Sequence, residues 1–271
     1  MLLQQTLVLT RIYYRREALY NGKSRSLFLK LPSMRASYKK EAEESLKRSD
    51  SYETYLYRLS EEEVLGRQTR QVQTCIKKAH FPSLKTLENF DFTVLPRLDK
   101  KKVMDLLLGD YLEKTENILA LGNAGTGKTH IAIALGVEAC QKGYPVLFKT
   151  AAHLVHELTE AHGEKRLLNL QAKLKAQKLL IIDELGYVPF SKTGAELLFE
   201  VLSSRYEQGS LIITSNLPFE EWTQVFGCSR LTGALLDRLT HHVHILEMNG
   251  TSHRLGNRSA PPTTSAVSDL S

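Results

Sequence analysis

Between positions 122 and 129 the chain reads Gly122-Asn123-Ala124-Gly125-Thr126-Gly127-Lys128-Thr129, which fits G-x-x-x-x-G-K-S/T without a gap. Glycines at these places let the backbone curl until its N–H groups converge on phosphate oxygens, and the helix that follows adds its partial positive charge. Lys128 brings an ammonium to the β- and γ-oxygens, and the Thr129 hydroxyl is a ligand for Mg²⁺. His130 follows directly and joins the candidate nucleotide contacts. The run Asn117–Leu121 before the motif reads as a strand, and Ile131–Ala139 after it as an apolar helix, the context such a loop requires.

A second chemical element lies 54 positions after Thr129, where the apolar run Leu179-Leu180-Ile181-Ile182 ends in Asp183-Glu184. That distance leaves room for a helix, a strand and further helices before the chain returns to the sheet beside the first strand. Asp183 can then reach Mg²⁺ through water, and Glu184 can polarise an attacking water as general base. An acid directly after the metal-facing Asp favours hydrolysis of the γ-phosphate over transfer to a small molecule.

A third run, Leu211-Ile212-Ile213, ends in Thr214-Ser215-Asn216. The Asn216 amide suits the same water or the γ-phosphate, with Thr214 and Ser215 as competitors for that place. Arg230 and Arg238 flank the apolar stretch Leu231–Leu236; either is a surface charge or an arginine finger reaching a neighbouring subunit's nucleotide.

These groups need a scaffold. Continuous apolar runs at 118–121, 146–148, 179–182, 211–214 and 243–248 alternate with amphipathic stretches, such as the stripe Leu197, Leu198, Val201, Leu202 and Tyr206. Strands of that kind are buried on both faces, so the reading is α/β, with a parallel sheet flanked by helices. A helix over 95–114 is expected to be capped at Asp99. Upstream, Asp50 and Glu53 read as a capping box, with Tyr52, Leu56, Leu59, Leu65, Val72, Ile76 and Ala79 as one apolar stripe ending at Pro82. The domain reading is a divergent or disordered extension over 1–28, a helical basic domain over 29–82, the ATPase domain over 83–255 and a disordered tail over 256–271. Residues 83–98 read as an extended connector whose Phe90 and Phe92 pack on the domain that follows.

Composition narrows the class. Of 271 residues, 42% are hydrophobic and 24% charged, a balance found in folded soluble domains. No run approaches the ~18 apolar residues of a membrane span, and the basic residues follow the first apolar run, the wrong order for export. The three cysteines, Cys75, Cys140 and Cys228, are distant from one another, so neither a disulfide framework nor a zinc cluster is expected. His241, His242 and His244 lack a carboxylate at ligand spacing, and Cys140 reads as core. The chain reads as cytoplasmic. Residues 1–80 hold 16 Lys and Arg against 9 Asp and Glu, and the remainder holds 20 against 21. Lys39, Lys40, Lys47, Arg48, Arg67, Arg70, Lys77 and Lys78, with Lys100, Lys101 and Lys102, suit phosphate contacts that grip double-stranded DNA with weak sequence preference.

The segments GNAGTGKTHIAIALG, LLIIDELGYVPFS, IITSNLPFEEW and ALLDRLTHHVHILEMNG resemble the IstB-like ATP-binding proteins, AAA+ ATPase helpers encoded beside an insertion-sequence transposase and similar to DnaC-type helicase loaders. The resemblance runs from about Leu29 to Leu255. It implies a P-loop NTPase AAA+ domain after a small helical N-terminal domain, ATP and Mg²⁺ as cofactors, a homo-oligomer assembled on target DNA, and regulation or recruitment of the cognate transposase. By the same resemblance Gly122 to Thr129 form the Walker A loop and Asp183 and Glu184 the Walker B pair. Asn216 takes the sensor 1 place and Arg238 that of the arginine finger, with Arg230 second. Arg254 matches a late arginine of the family. The rival expectations are a replicative helicase loader and a nucleotide-gated DNA scaffold in which hydrolysis is incidental.

Overall fold

The computed structural model describes residues 29–250; the expected N-terminal extension, the C-terminal tail and Arg254 lie outside that range. The chain divides into two compact units between Gln73 and Thr74, a point inside a continuous helix.

The first unit is built on helix α1 (Pro32–Arg48) and most of helix α2 (Tyr52–Ala79). Proline suits the first turn of α1, where its missing N–H has no partner to lose. The α1 N-terminus is capped from a distance. The Glu63 carboxylate of α2 accepts the N–H groups of Ser33 at 2.8 Å and Met34 at 3.0 Å. It also takes Arg67 at 3.2 Å and Arg70 at 3.0 Å. Burial by itself would raise the Glu63 pKa, but these donors outweigh it and hold the carboxyl below its ordinary value of 4.5. The expected capping box does not form: Ser51 accepts the Thr54 N–H at 3.2 Å, while Asp50 pairs with Arg58 at 2.7 Å. Nor is the expected stripe buried along its length. Leu59 is, but Tyr52, Leu56 and Leu65 are exposed.

The second unit continues through two 3-10 turns (Leu87–Asn89 and Phe92–Val94), helix α3 (Lys100–Leu107) and the single turn α4 (Asp110–Glu113). Asp99 caps α3 by accepting the Lys102 N–H at 3.2 Å; Gly109, at φ 86°, then breaks the single helix expected over 95–114. From there strands and helices alternate: β1 (Asn117–Leu121), α5 (Lys128–Gln141), β2 (Val146–Thr150), α6 (Ala151–Gly163), α7 (Leu167–Lys175), β3 (Leu179–Leu185), α8 (Lys192–Ser204), β4 (Ser210–Ser215), α9 (Trp222–Phe226), α10 (Ser229–Thr240) and β5 (Val243–Glu247).

The five strands are parallel in the order β2-β3-β4-β1-β5. The expectation that β3 returns beside β1 is therefore corrected: β4 lies between them, bonded to both. Alternate residues of each strand serve opposite faces. Ile118, Ala120, Val146, Phe148, Leu179 and Ile181 pack against α5, while Leu119, Leu147, Leu180, Ile182, Leu211 and Ile213 pack against α6, α8, α9 and α10. Both sets are apolar because both faces are covered, which is why the strands read as unbroken runs. The buried Arg205 guanidinium donates to the carbonyls of Leu174, Gln177, Lys178 and Ser210, fixing the entry of β4; burial lowers its pKa to about 10. Cys75 and Cys140, distant in sequence, come together at the core: the half-buried Cys75 thiol donates to the Tyr144 carbonyl at 2.8 Å, and burial pushes the buried Cys140 thiol up. No helix among the described residues is long and apolar enough to cross a membrane.

Candidate nucleotide-binding and hydrolysis site

The site lies where the C-terminal ends of β1, β3 and β4 meet the first turn of α5, the edge at which open parallel sheets take their ligands. β1 ends at Leu121 and the loop turns through three left-handed glycines, Gly122 at φ 148°, Gly125 at φ 79° and Gly127 at φ 89°. Two of them are also needed for space. A Cβ on Gly122 would stand 2.3 Å from the Met248 carbonyl oxygen, and one on Gly127 would stand 2.6 Å from the Phe90 ring. Thr126 closes the turn by donating to the Asn123 carbonyl at 2.9 Å. The Lys128 ammonium bends back over the loop, donating to the carbonyls of Gly122 at 2.7 Å and Asn123 at 2.6 Å.

Thr129, in the first turn of α5, donates its hydroxyl to the Asp183 carboxylate, at 2.8 Å to Oδ1 and 3.1 Å to Oδ2. Asp183 is buried, and its Oδ1 also accepts the Thr214 hydroxyl at 2.6 Å. Among the described residues no cation pairs with it. A buried carboxylate surrounded by hydroxyls alone suits a hard cation with oxygen ligands, and so fits Mg²⁺. Glu184 adopts φ 59° and is exposed into the cleft, its N–H donating to Thr214 Oγ1 at 2.9 Å.

The cleft holds about 490 Å³, and its walls come from two sources. One wall is Ala124 to His130, with Glu184, Tyr187, Thr214 and Asn216. The other is the connector, through Pro82, Ser83, Lys85, Asn89, Phe90, Asp91 and Val94. That second wall was not named from sequence as part of the site; the signal available was the pair Phe90 and Phe92, read only as packing residues. Phe90 sits edge-on to both Phe92 and His130, and His130 Nε2 is 2.7 Å from the Thr86 carbonyl.

Not every candidate converges. Arg238 is half-buried on α10, hydrogen-bonded to Ser203 Oγ at 3.2 Å with its guanidinium 5.3 Å from the centre of the Phe199 ring. Neither it nor the exposed Arg230 lines its own chain's cleft. Arg67 and Arg70, grouped from sequence with DNA-facing residues, are held by Glu63. The absence of a carboxylate near the histidines is corrected: Glu207 comes within 4.8 Å of His241 and His242, all three exposed. His244 instead pairs with Glu116 at 2.8 Å.

A parallel sheet in this strand order, with a glycine loop leading into α5 and a carboxylate at the end of β3, defines a P-loop protein of the AAA+ class. Solved structures agree on the fold. AMPPCP-bound DnaA from Aquifex aeolicus matches with a TM-score of 0.53 at 23% identity over 62% of this chain and 51% of that one. DnaI matches with a TM-score of 0.51 at 17% identity over 63% and 90%. The chain thus spans about half the length of that DnaA structure. A family model described as IstB-like ATP binding protein covers residues 25–261, and this chain belongs to that family. A protein named for insertion sequence IS5376 and for ATP binding, from Geobacillus stearothermophilus, is 41% identical over 84% of this chain and 90% of its own length. The corresponding protein named for IS21, from Pseudomonas aeruginosa, is 41% identical over 79% of this chain and 80% of its own.

Proposed function

We propose that this chain hydrolyses ATP while assembled as a homo-oligomer on target DNA, and that the nucleotide-loaded assembly regulates or recruits the transposase of its insertion sequence. The observation that carries the reading is the chain of contacts from Thr129 through Asp183 to Thr214, with Glu184 facing the cleft beside it. A site that only binds nucleotide has no need of a second carboxylate at that point.

In this reading the triphosphate displaces the Lys128 ammonium from the carbonyls of Gly122 and Asn123, and the ammonium then sits on the β- and γ-oxygens. Backbone N–H groups from Asn123 to Thr129 cradle the phosphates. Thr129 and Asp183 would hold Mg²⁺, which when bound neutralises charge on the phosphate oxygens. Glu184 takes a proton from the attacking water, and Asn216, on the same wall, orients that water or the γ-phosphate. Phe90, His130 and the connector residues seat the base. Arg238 acts in trans, because in its own chain it is held on α8 away from the cleft.

The functional division is a basic helical domain over 29–82 and an ATPase domain over 83–255. In the helical part Lys39, Lys40 and Lys47 are exposed, and so are Lys100 and Lys101 on α3. These residues meet backbone phosphates of double-stranded DNA without reading bases. The test is the full chain with ATP, magnesium and duplex DNA, sized with and without each, followed for turnover, and mixed with the transposase of its own element. ATP-dependent assembly on DNA, turnover and transposase retention are expected. A chain that binds no ATP at saturating magnesium removes the reading entirely.

A further inference from the structure

The end of β3 is irregular in a way that bears on the carboxylates. β3 and β4 pair in step as far as Ile182 and Ile213, and pairing resumes at Leu185 and Ser215. Two residues, Asp183 and Glu184, therefore stand opposite one, Thr214. This is a β-bulge, a device that takes an extra residue out of the ladder and re-aims a side chain. Its effect is legible in the packing. Leu180 and Ile182 belong to the face covered by α6 and α8, and so does Leu185. Regular alternation would have put Glu184 on that face and Leu185 on the other. The extra residue shifts the parity by one, so that Leu185 is buried and Glu184 is turned into the cleft with a left-handed backbone. A left-handed conformation is unfavourable for a non-glycine residue and persists only when its surroundings hold it.

One side chain faces both members of the bulge. Thr214 is 1% exposed, and its hydroxyl donates to Asp183 Oδ1 at 2.6 Å while accepting the Glu184 N–H at 2.9 Å. Next to it, Ser215 donates to the Leu185 carbonyl at 2.6 Å and so closes the far side of the bulge. The hydroxyl of Thr214 stands in for the ladder bond that the bulge removes, and its single proton goes to the carboxylate.

We propose that Thr214 is the positioning residue of this site: its hydroxyl sets the Asp183 carboxylate toward magnesium and keeps the Glu184 backbone in the one conformation that presents Glu184 to the attacking water. The sequence offered Thr214 only as a competitor of Asn216 for that water; the bulge gives it a different task. The inference rests on the hydrolytic reading above and deepens it.

The test uses the full chain carrying Thr214→Val, which keeps the shape and removes the hydroxyl, and Thr214→Ser, which keeps the hydroxyl. At saturating magnesium both variants should bind ATP within about threefold of the unmodified chain, because neither touches the loop that holds the phosphates. Turnover should fall about 10–100-fold in Thr214→Val, the usual effect of losing a group that orients a metal ligand, and return to within about threefold in Thr214→Ser. The magnesium concentration that half-saturates ATP binding should rise about tenfold in Thr214→Val alone. Turnover in Thr214→Val above half that of the unmodified chain overturns the proposal. So does a Thr214→Ser variant as impaired as Thr214→Val, since the lost group would then be the methyl and not the hydroxyl. If the unmodified chain binds ATP but turns none over, hydrolysis fails on its own account, and an unchanged magnesium requirement in Thr214→Val would then overturn this inference separately. Should Thr214→Val not fold, Thr214→Ala carries the same expectations.

Discussion

Thr129 and Asp183, 54 positions apart, share a hydrogen bond of 2.8 Å across the C-terminal edge of the sheet. Their strands are not neighbours: β1 leads into the helix of Thr129, β3 carries Asp183 near its C-terminal end, and β4 runs between. α5 packs against both β4 and β3, and the Thr129 hydroxyl in its first turn reaches the carboxylate of β3. Thr214, on the intervening strand, donates to the same carboxylate.

Lys128→Ala should weaken ATP binding about 10–100-fold, as expected when a charged hydrogen-bond donor is removed from an anion. Titration calorimetry of the full chain with magnesium and ATP measures this directly. Affinity within twofold of the unmodified chain would exclude the ammonium from the phosphate site.

Gly127→Ala should damage the loop through its backbone as well as its side chain. The added Cβ must adopt φ 89° and would stand 2.6 Å from the Phe90 ring. The left-handed conformation alone costs about 1–2 kcal/mol. A lower melting temperature and weaker ATP binding are expected. Adding Phe90→Ala should relieve the clash and leave the conformational cost, so the double variant recovers in part.

Arg238→Ala should leave nucleotide affinity unchanged and reduce turnover of the assembled protein by a factor on the order of 10³, the low end for an arginine supplied in trans. Mixing it with a Lys128→Ala chain distinguishes the cases: each variant supplies what the other lacks, so activity should partly return. Unchanged turnover in Arg238→Ala alone would move the role to Arg230 or dismiss it.

Glu63 makes the helical unit sensitive to acid. Its folded pKa lies below 4.5, so its contribution is fully present above that value and is lost as pH falls through the folded pKa. Glu63→Gln should therefore melt lower than the unmodified chain at pH 7, by about 3 °C. The gap should narrow as pH falls below 4.5 and close once the carboxyl is protonated in the folded chain. A gap independent of pH would show that the carboxylate's charge does not hold the α1 N-terminus.

Much of this fold was legible because parallel strands covered on both faces are apolar in near-continuous runs, and the runs around Leu119, Phe148, Ile181 and Ile212 stand out for that reason. Their edges were less legible. The apolar pattern of β3 stops at Ile182, yet the strand continues to Leu185 because the bulge returns one more leucine to the core. The capping of α1 was hidden for another reason: the cap comes from Glu63, 30 residues away, whereas sequence rules for caps look only one turn ahead. Exposure of Tyr52 and Leu56 was likewise not readable, since helical spacing states which residues share a face and not whether anything covers it.

The residues from Gly122 to Thr129 needed no fold to be identified, because a phosphate cradle is made by neighbours in the chain whose backbone conformations are set locally by glycine. Which carboxylate meets Thr129, which hydroxyl steadies Glu184, and that Phe90 closes against Gly127 were matters for the tertiary structure alone. Those contacts join segments that the chain separates by tens of residues, and only the order of the strands and the slip between β3 and β4 bring them within bonding distance.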